Sequence, residues 1–503
     1  MNGRVELKPP LIWGRDNVGI GLIQALRSKR VIAFEDRPSS EEIHVAPKSN
    51  HLVVCERGDD LAQVIAANYA QAFDAGLFLI SQTEREHSDD ILERFYSVYD
   101  DRDRSATDAL RELRNELRAI AGNIPIPENG SITFISDGLP FGFAFPEVPS
   151  THLFGLDLGI SIIHGFAAEQ PNARGVQVAA LVNPETTPAP EINAAARILS
   201  EQRLFARVYE GPAASVTSIS EMVELFPYDL LVIATHCGDV SGYRWTYQFT
   251  DIEGIDRNLV VDIALGIGRT SEKDLLNVTQ FMRFVSLDGV SWNDPVEKAK
   301  LYVGKAILDF MERTRPNSDN ELKPVTKDTV DRVVGSAALK MYDNNFIAVP
   351  RSVASEGTPI VINNACVSWR RLATNFIFGG ARGYVGTLFP ISTTEAESVL
   401  LRALGKHRGK ALPHAFWSAQ RETYDDDARR PYVMAGVYTQ RIRATAGDVP
   451  RHIVKELRHG RNEWTRYRDQ GGPHSSDRKR TVDAHISFFE RELEWFHRGW
   501  GID

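Results

Sequence analysis

The chain has 503 residues, of which 43% are hydrophobic and 25% charged, and its formal net charge is −9. This length predicts two or three domains, or one enlarged α/β domain with additions. The negative charge argues against a general nucleic-acid binder, so we expect no direct nucleic-acid partner. No uncharged apolar run approaches the roughly 18 residues that a membrane-spanning helix needs, and we therefore expect no membrane partner.

The three cysteines, Cys55, Cys237 and Cys366, lie far apart in the sequence. Their spacing fits neither a disulfide framework nor a common zinc site, so we expect neither a metal ion nor another cofactor. The first 30 residues lack the pattern of a signal peptide. We expect a cytoplasmic, reduced protein whose thiols are free to react.

The first 125 residues contain a pattern typical of a β-α-β unit. The run "HLVVCE" (His51–Glu56) predicts a buried strand, residues 60–76 predict a helix that ends at a glycine, and "LFLIS" (77–81) predicts a second strand. A charged helix with one apolar stripe is predicted over residues 105–122. Cys55 lies inside the first strand and is expected to be an inert core thiol.

Residues 131–410 alternate short apolar runs with helical segments. The runs "SITFIS", "GVQVAALV", "DLLVIAT" and "TPIVIN" are rich in Val and Ile. Buried strands that alternate with helices are typical of a mostly parallel sheet covered on both faces. The predicted fold class is therefore α/β.

The regular alternation stops between about residues 268 and 357. Helices are predicted there over residues 295–314 and 327–342, so we interpret this region as a helical insertion between two strands. The chain then divides into residues 1–125, an N-terminal α/β region; residues 126–445, the main domain with its insertion; and residues 446–503, a helical tail.

A histidine and a cysteine end two of the predicted strands. His236 follows "DLLVIAT", and Cys366 follows "PIVINNA" just before a predicted helix. Active sites of parallel α/β sheets form beyond the carboxyl ends of the strands. A helix N-terminus favours a thiolate, and a nucleophilic cysteine needs a base within reach. Gly238 permits a sharp turn that presents an N–H group to an oxyanion.

Structural roles remain an alternative for both residues. A histidine at the end of a strand is more often hydrogen bonded for structural reasons, and a cysteine there is often simply packed. Their equivalent positions on two strands make the catalytic interpretation about as strong as the structural one.

The order of these motifs resembles that of the CHAT domain, a family of bacterial cysteine peptidases akin to caspases and separases. The likeness comprises "SITFISDGLPFGFAF", strand–His–x–Gly, strand–Ala–Cys, "GGARGYVGTLFPISTTEA" and "RPYVMAGVYTQRI", over residues 131–445 with an interruption. One departure is Cys237, because the family usually has glycine directly after the histidine.

The resemblance implies a caspase-like fold and a regulated cysteine endopeptidase that cuts one or a few protein partners, in bacterial defence or cell-death signalling. Cys366 would be the nucleophile, His236 the general acid-base, and the backbone N–H groups of Gly238 and Cys366 the oxyanion hole. Residues 1–125 would be a regulatory module or a degenerate companion lobe, open to an activating ligand or protein partner. The alternative function is a non-catalytic CHAT-like scaffold or ligand-sensing module.

Two residues near the dyad are candidates for substrate binding. Asn364 precedes Cys366 by two positions, so both side chains are expected on the same side of the strand. In arginine- and lysine-specific relatives of this fold the residue at that position is often Asp, whereas here it is a neutral amide. We therefore expect a neutral substrate residue immediately before the cleaved bond. The exception would be if Asp239, in the segment after His236, reaches the pocket that binds this residue.

Overall fold

The computed structural model describes residues 9–36, 47–58, 60–100, 105–154, 158–170, 176–269, 276–301, 303–315, 321–355, 357–443, 449–470 and 476–501. The N-terminal region contains β1 (Leu11–Gly14), α1 (Val18–Ser28), β2 (Ile32–Glu35), β3 (His51–Glu56), α2 (Asp60–Ala72), β4 (Gly76–Ile80), α3 (Arg85–Tyr96) and α4 (Ala106–Ala121). The predicted β-α-β unit and the charged helix are confirmed.

The next part of the chain has the predicted α/β alternation. It contains β5 (Ser131–Ile135), β6 (Ser150–Leu153), α5 (Leu158–Ala168), β7 (Val178–Asn183), α6 (Pro190–Glu201), β8 (Phe205–Glu210), α7 (Val216–Leu225) and β9 (Leu230–Ile233).

The region that follows β9 is built mainly from antiparallel strands. It contains β10 (Cys237–Gly238), β11 (Gly242–Thr250), β12 (Asp256–Arg269), β13 (Leu276–Leu287), β14 (Val290–Ser291), α8 (Pro295–Lys300), α9 (Val303–Arg313), β15 (Thr326–Val330), β16 (Ala338–Lys340) and β17 (Asn345–Ile347).

The last part completes the sheet and ends in two long helices. It contains β18 (Ile360–Asn363), α10 (Arg370–Phe378), β19 (Gly383–Thr387), α11 (Thr393–Leu404), α12 (Leu412–Thr423), β20 (Tyr432–Gly436), α13 (Val449–Asp469) and α14 (Ser476–Trp500). In the part of the chain that the structure describes, no helix has both the length and the apolar content to cross a membrane.

A ten-stranded sheet runs through the molecule in the order β4-β3-β5-β6-β20-β19-β18-β9-β7-β8. Neighbouring strands are parallel except for β19 and β20, which are antiparallel. The sheet therefore consists of two parallel halves that run in opposite directions. The α/β prediction is confirmed at the level of a large mixed sheet flanked by helices.

The N-terminal strands are part of this same sheet. β3 pairs with β5 in parallel from His51 opposite Ser131 to Cys55 opposite Ile135. The boundary predicted between residues 125 and 126 therefore does not separate two sheets. Along β3 the side chains alternate, with Val54 in the core on one face and Val53 and Cys55 in the core on the other.

The prediction of a helical insertion is wrong for most of the region. β11, β12, β13, β14 and β15 form an antiparallel sheet that begins well before residue 268. The helix predicted over residues 327–342 is absent from the described structure, where β15 and β16 occupy that stretch, whereas residues 295–314 do form helices α8 and α9. Pairing of β15 with β11 outweighs the weak local helical pattern.

Candidate active site

The two strands that lead to the predicted dyad are neighbours. β9 and β18 pair in parallel, with Ile233 opposite Asn363 at the end of the register. Each site residue follows three positions later, His236 after Ile233 and Cys366 after Asn363. Because parallel strands end at the same edge of the sheet, both segments leave the sheet side by side. The strands that precede His236 and Cys366 are therefore neighbours in the sheet.

Cys366 lies in a turn before α10 and is half-buried. Its Sγ accepts a hydrogen bond from the Ile391 N–H (3.5 Å) and lies 3.6 Å from the Ile391 carbonyl oxygen, to which the thiol donates. Burial raises the pKa of the Cys366 thiol, although the N–H groups of Ile391 and of Cys366 itself act in the opposite direction.

The helix after Cys366 begins later than predicted. α10 starts at Arg370, with Trp369 as its N-cap, and Val367 has a left-handed φ of 49°. The cysteine is therefore in the connecting turn, outside the first helical turn where the dipole acts most strongly. In this position burial is the largest influence on the pKa of the thiol.

His236 is exposed to solvent, and its segment is held through the backbone. The His236 carbonyl oxygen accepts a hydrogen bond from Lys340 N–H (2.9 Å), at the end of β16. Both site residues belong to the described part of the chain, and within it no hydrogen bond joins the His236 ring to the Cys366 thiol. The two residues of the proposed dyad thus lie at one edge of the sheet, and in this arrangement they are not hydrogen bonded to each other.

Cys237 and Gly238 form β10, which pairs with β16. Burial raises the pKa of the Cys237 thiol well above its usual range, and the nearby Cys366 thiol raises it further. The backbone N–H of Gly238 acts in the opposite direction on this pKa. Gly238, predicted to supply an N–H to the oxyanion hole, therefore lies in a short strand, opposite Ala338.

Asn364 is buried, with 4% of its surface exposed, between two polar side chains. Its amide nitrogen donates to Glu191 Oε1 at the start of α6 (3.1 Å), and its carbonyl oxygen accepts from the Tyr432 hydroxyl. Neither polar group of the amide is open to a ligand in this arrangement. The expected role of Asn364 in substrate binding therefore does not fit its surroundings.

Glu191 is a residue of this site that the sequence did not reveal. It is 3% exposed, burial raises its pKa, and its Oε2 atom has no hydrogen-bond partner outside its own residue among the described residues. An acidic residue in the first turn of a helix is common for reasons of capping and dipole, so its position gave no signal of a site.

Asp239 is also occupied, in this case by an ion pair. Its carboxylate accepts from Arg332 Nε (2.9 Å) and from the Ala337 N–H (3.1 Å), and its side chain is 5% exposed. The expectation that Asp239 contacts substrate directly therefore does not fit this arrangement. Arg332 comes from the segment between β15 and β16, a distant part of the sequence.

No protein-family model matches this chain, and no curated protein matches it. The likeness to CHAT-domain peptidases therefore depends on the motifs of this chain and on their order along it.

Proposed function

We propose that the chain is a regulated cysteine endopeptidase of the CHAT, caspase-like type, with His236 and Cys366 as its catalytic dyad. The observation that supports this most is the register of β9 and β18, because it brings the histidine and cysteine segments to the same edge of a parallel sheet. The motif order extends the proposal to a cytoplasmic protein of bacterial defence or cell-death signalling that cleaves a specific protein partner.

The reaction would follow the usual course of a cysteine peptidase. The Cys366 thiolate attacks the carbonyl carbon of the scissile bond, and His236 protonates the leaving amine as the C–N bond breaks. His236 then takes a proton from water, which attacks the thioester and releases the acid product and the thiol. Backbone N–H groups, with those of Cys366 and Gly238 as candidates, stabilise the oxyanion.

The described arrangement fits a resting state of such an enzyme. The Cys366 thiol is paired with Ile391, and its pKa is raised rather than lowered. Activation would require the thiol to leave Ile391 and meet the His236 ring. A ligand or protein partner can drive this change only by binding the competent arrangement more tightly.

The alternative is a non-catalytic scaffold or ligand-sensing module built on the same sheet. The raised pKa of Cys366 and the absence, within the described residues, of a His236–Cys366 hydrogen bond favour this alternative. A scaffold, however, has no need of both residue types at adjacent strand ends.

A panel of thiol-reactive peptide probes separates the two functions. The peptidase proposal predicts a covalent adduct on Cys366, identified by mass spectrometry, whose formation is strongly reduced by His236→Ala. Cys237→Ala is the matched control and should leave the adduct in place. Labelling of Cys366 at an equal rate in the His236→Ala variant would contradict the dyad and favour the scaffold.

A further inference from the structure

The helix α3 contacts both segments of the proposed active site. Asp89, Glu93 and Tyr96 are spaced by four and three residues, so their side chains lie on one face of the helix. We call these three residues the α3 clamp. α3 belongs to the N-terminal region and is far in sequence from β9 and β18.

The clamp holds the histidine segment through Arg332. The guanidinium of Arg332 binds both carboxylate oxygens of Glu93, with 2.9 Å from Nη2 to Oε2, and it also pairs with Asp239, three residues beyond His236. One arginine therefore joins the N-terminal helix, the β15–β16 connection and the histidine segment. A planar, bidentate ion pair of this kind fixes the orientation of the guanidinium and the carboxylate as well as the distance between them.

Tyr96 makes the second contact with the histidine segment. Its hydroxyl oxygen accepts the Asp239 backbone N–H (2.9 Å), and its ring lies 3.7 Å from the Arg332 guanidinium carbon. A Cβ atom at Gly238 would lie 3.2 Å from the same hydroxyl oxygen. The backbone two and three residues after His236 is thus in direct contact with α3.

The clamp holds the cysteine segment through Arg370, the first residue of α10. Arg370 lies four residues beyond Cys366 in the sequence. Its Nη1 atom donates a hydrogen bond to Asp89 Oδ1 (2.8 Å). Asp89 and Glu93 are successive positions on one helix face, so a shift or rotation of α3 would displace both segments together.

We infer that Asp89, Glu93 and Tyr96 are positioning residues that set the geometry between His236 and Cys366, and that the N-terminal region acts on the site through α3. The inference depends on the proposed function for its catalytic consequence, although the clamp itself can be measured independently. A partner that moves α3 would displace both segments at once. Movement of β9 or β18 alone would displace only the segment that follows that strand.

The experiment compares Asp89→Asn, Glu93→Gln and Tyr96→Phe with Asp90→Asn in the full chain. Asp90 lies on the same helix but pairs with Arg94 at the surface, so its variant controls for loss of a helix charge. Glu93→Asp keeps the carboxylate and should retain at least part of the ion pair with Arg332.

Two measurements need no peptidase activity. Amide hydrogen exchange at residues 237–240 should accelerate about tenfold or more in Glu93→Gln and Tyr96→Phe, because the first weakens the ion pair with Arg332 and the second removes the hydrogen bond to the Asp239 N–H. The rate of alkylation of Cys366 by iodoacetamide should change at least about threefold in Asp89→Asn. Exchange and alkylation equal to those of Asp90→Asn in all three variants would overturn the inference.

Peptide cleavage then tests the catalytic consequence. If the wild-type chain cleaves a peptide, the clamp variants should lower kcat about tenfold with KM nearly unchanged, because positioning acts on the chemical step. An unchanged kcat together with altered exchange would reduce the clamp to a structural contact and overturn its positioning role. A wild-type chain that cleaves no peptide and forms no adduct defeats the proposed function, while exchange and alkylation still decide whether the clamp holds both segments.

Discussion

The backbone N–H of Asn364 donates a hydrogen bond to the carbonyl oxygen of Ile233 over 2.7 Å, one step beyond the last paired residue of β18. This bond is the final backbone link between β18 and β9 before the chain turns toward Cys366 on one side and His236 on the other. The two segments are thus anchored at a common point, and their distance beyond it depends on contacts with other elements, among them α3.

The first prediction concerns the dyad. Cys366→Ala and His236→Ala should each lower peptide cleavage by about a thousandfold or more, because the two residues act as one unit. The double variant should be no worse than either single one. Cys55→Ala and Cys237→Ala should retain activity, since Cys55 is buried in the core and Cys237 is not the proposed nucleophile. A fully active Cys366→Ala protein would rule out the assignment.

The second prediction concerns the pH dependence of the thiol. Burial raises the pKa of Cys366, so in the resting protein the reactive thiolate is scarce at pH 7 and increases as the pH rises. In a Cys55→Ala/Cys237→Ala background, the alkylation rate of Cys366 should therefore keep increasing beyond about pH 8.5, the ordinary cysteine value. A rate that levels off below pH 7 would indicate a thiolate already formed at rest.

The third prediction concerns the residue before the cut. Asp239 is paired with Arg332, and Asn364 is neutral, so neither offers a free carboxylate to a basic side chain. We expect a neutral residue at that position, and a positional peptide library measures it directly. Dominant cleavage after Arg or Lys would contradict the prediction and would point to Glu191, whose Oε2 has no hydrogen-bond partner outside its own residue among the described residues.

The fourth prediction concerns the stability of the Asn364 network. Asn364→Asp replaces a donor to Glu191 with a second carboxylate in a buried site, so the free energy of unfolding should fall by about 1–3 kcal/mol. The double variant Asn364→Asp/Glu191→Gln restores a donor–acceptor pair and should recover part of the loss in a double-mutant cycle. Equal stability of Asn364→Asp and the wild type in urea unfolding would show that the network is open to water.

The fifth prediction concerns acid stability through His152. The Gly142 N–H donates to its Nε2 (3.0 Å), while its Nδ1–H donates to the Met434 carbonyl oxygen (2.9 Å), so the ring is held neutral. Burial lowers the pKa of His152 to about 4. A histidine with a depressed pKa in the folded state stabilises the fold above its unfolded pKa, near 6.5, and this contribution disappears as the pH falls toward 4.

The expected loss is on the order of 3 kcal/mol in the free energy of unfolding between about pH 6.5 and pH 4, from 1.4 kcal/mol for each unit of pKa difference. His152→Gln keeps one donor and one acceptor and should flatten this part of the curve. His87→Gln, at an exposed position on α3, serves as the control. Identical pH profiles for wild type and His152→Gln in chemical unfolding would contradict the prediction.

The sequence by itself determined most of the individual strands and the positions of the two site residues at strand ends. Apolar runs such as those of β3, β9 and β18 match the observed strands within one or two residues, because a buried strand needs a continuous apolar stretch that is visible locally. The same local pattern placed His236 and Cys366 directly after two of these strands.

The tertiary structure decided everything that depends on pairing between distant segments. The insertion is a sheet because β11, β12, β13 and β15 supply one another's hydrogen bonds, and no local pattern shows which strands will pair. The contact of Ile391 with the Cys366 thiol and the contacts of α3 with Arg332 and Arg370 join residues up to 281 positions apart. Side-chain geometry of this kind follows from the packing of whole elements, so the state of the site is a property of the folded chain alone.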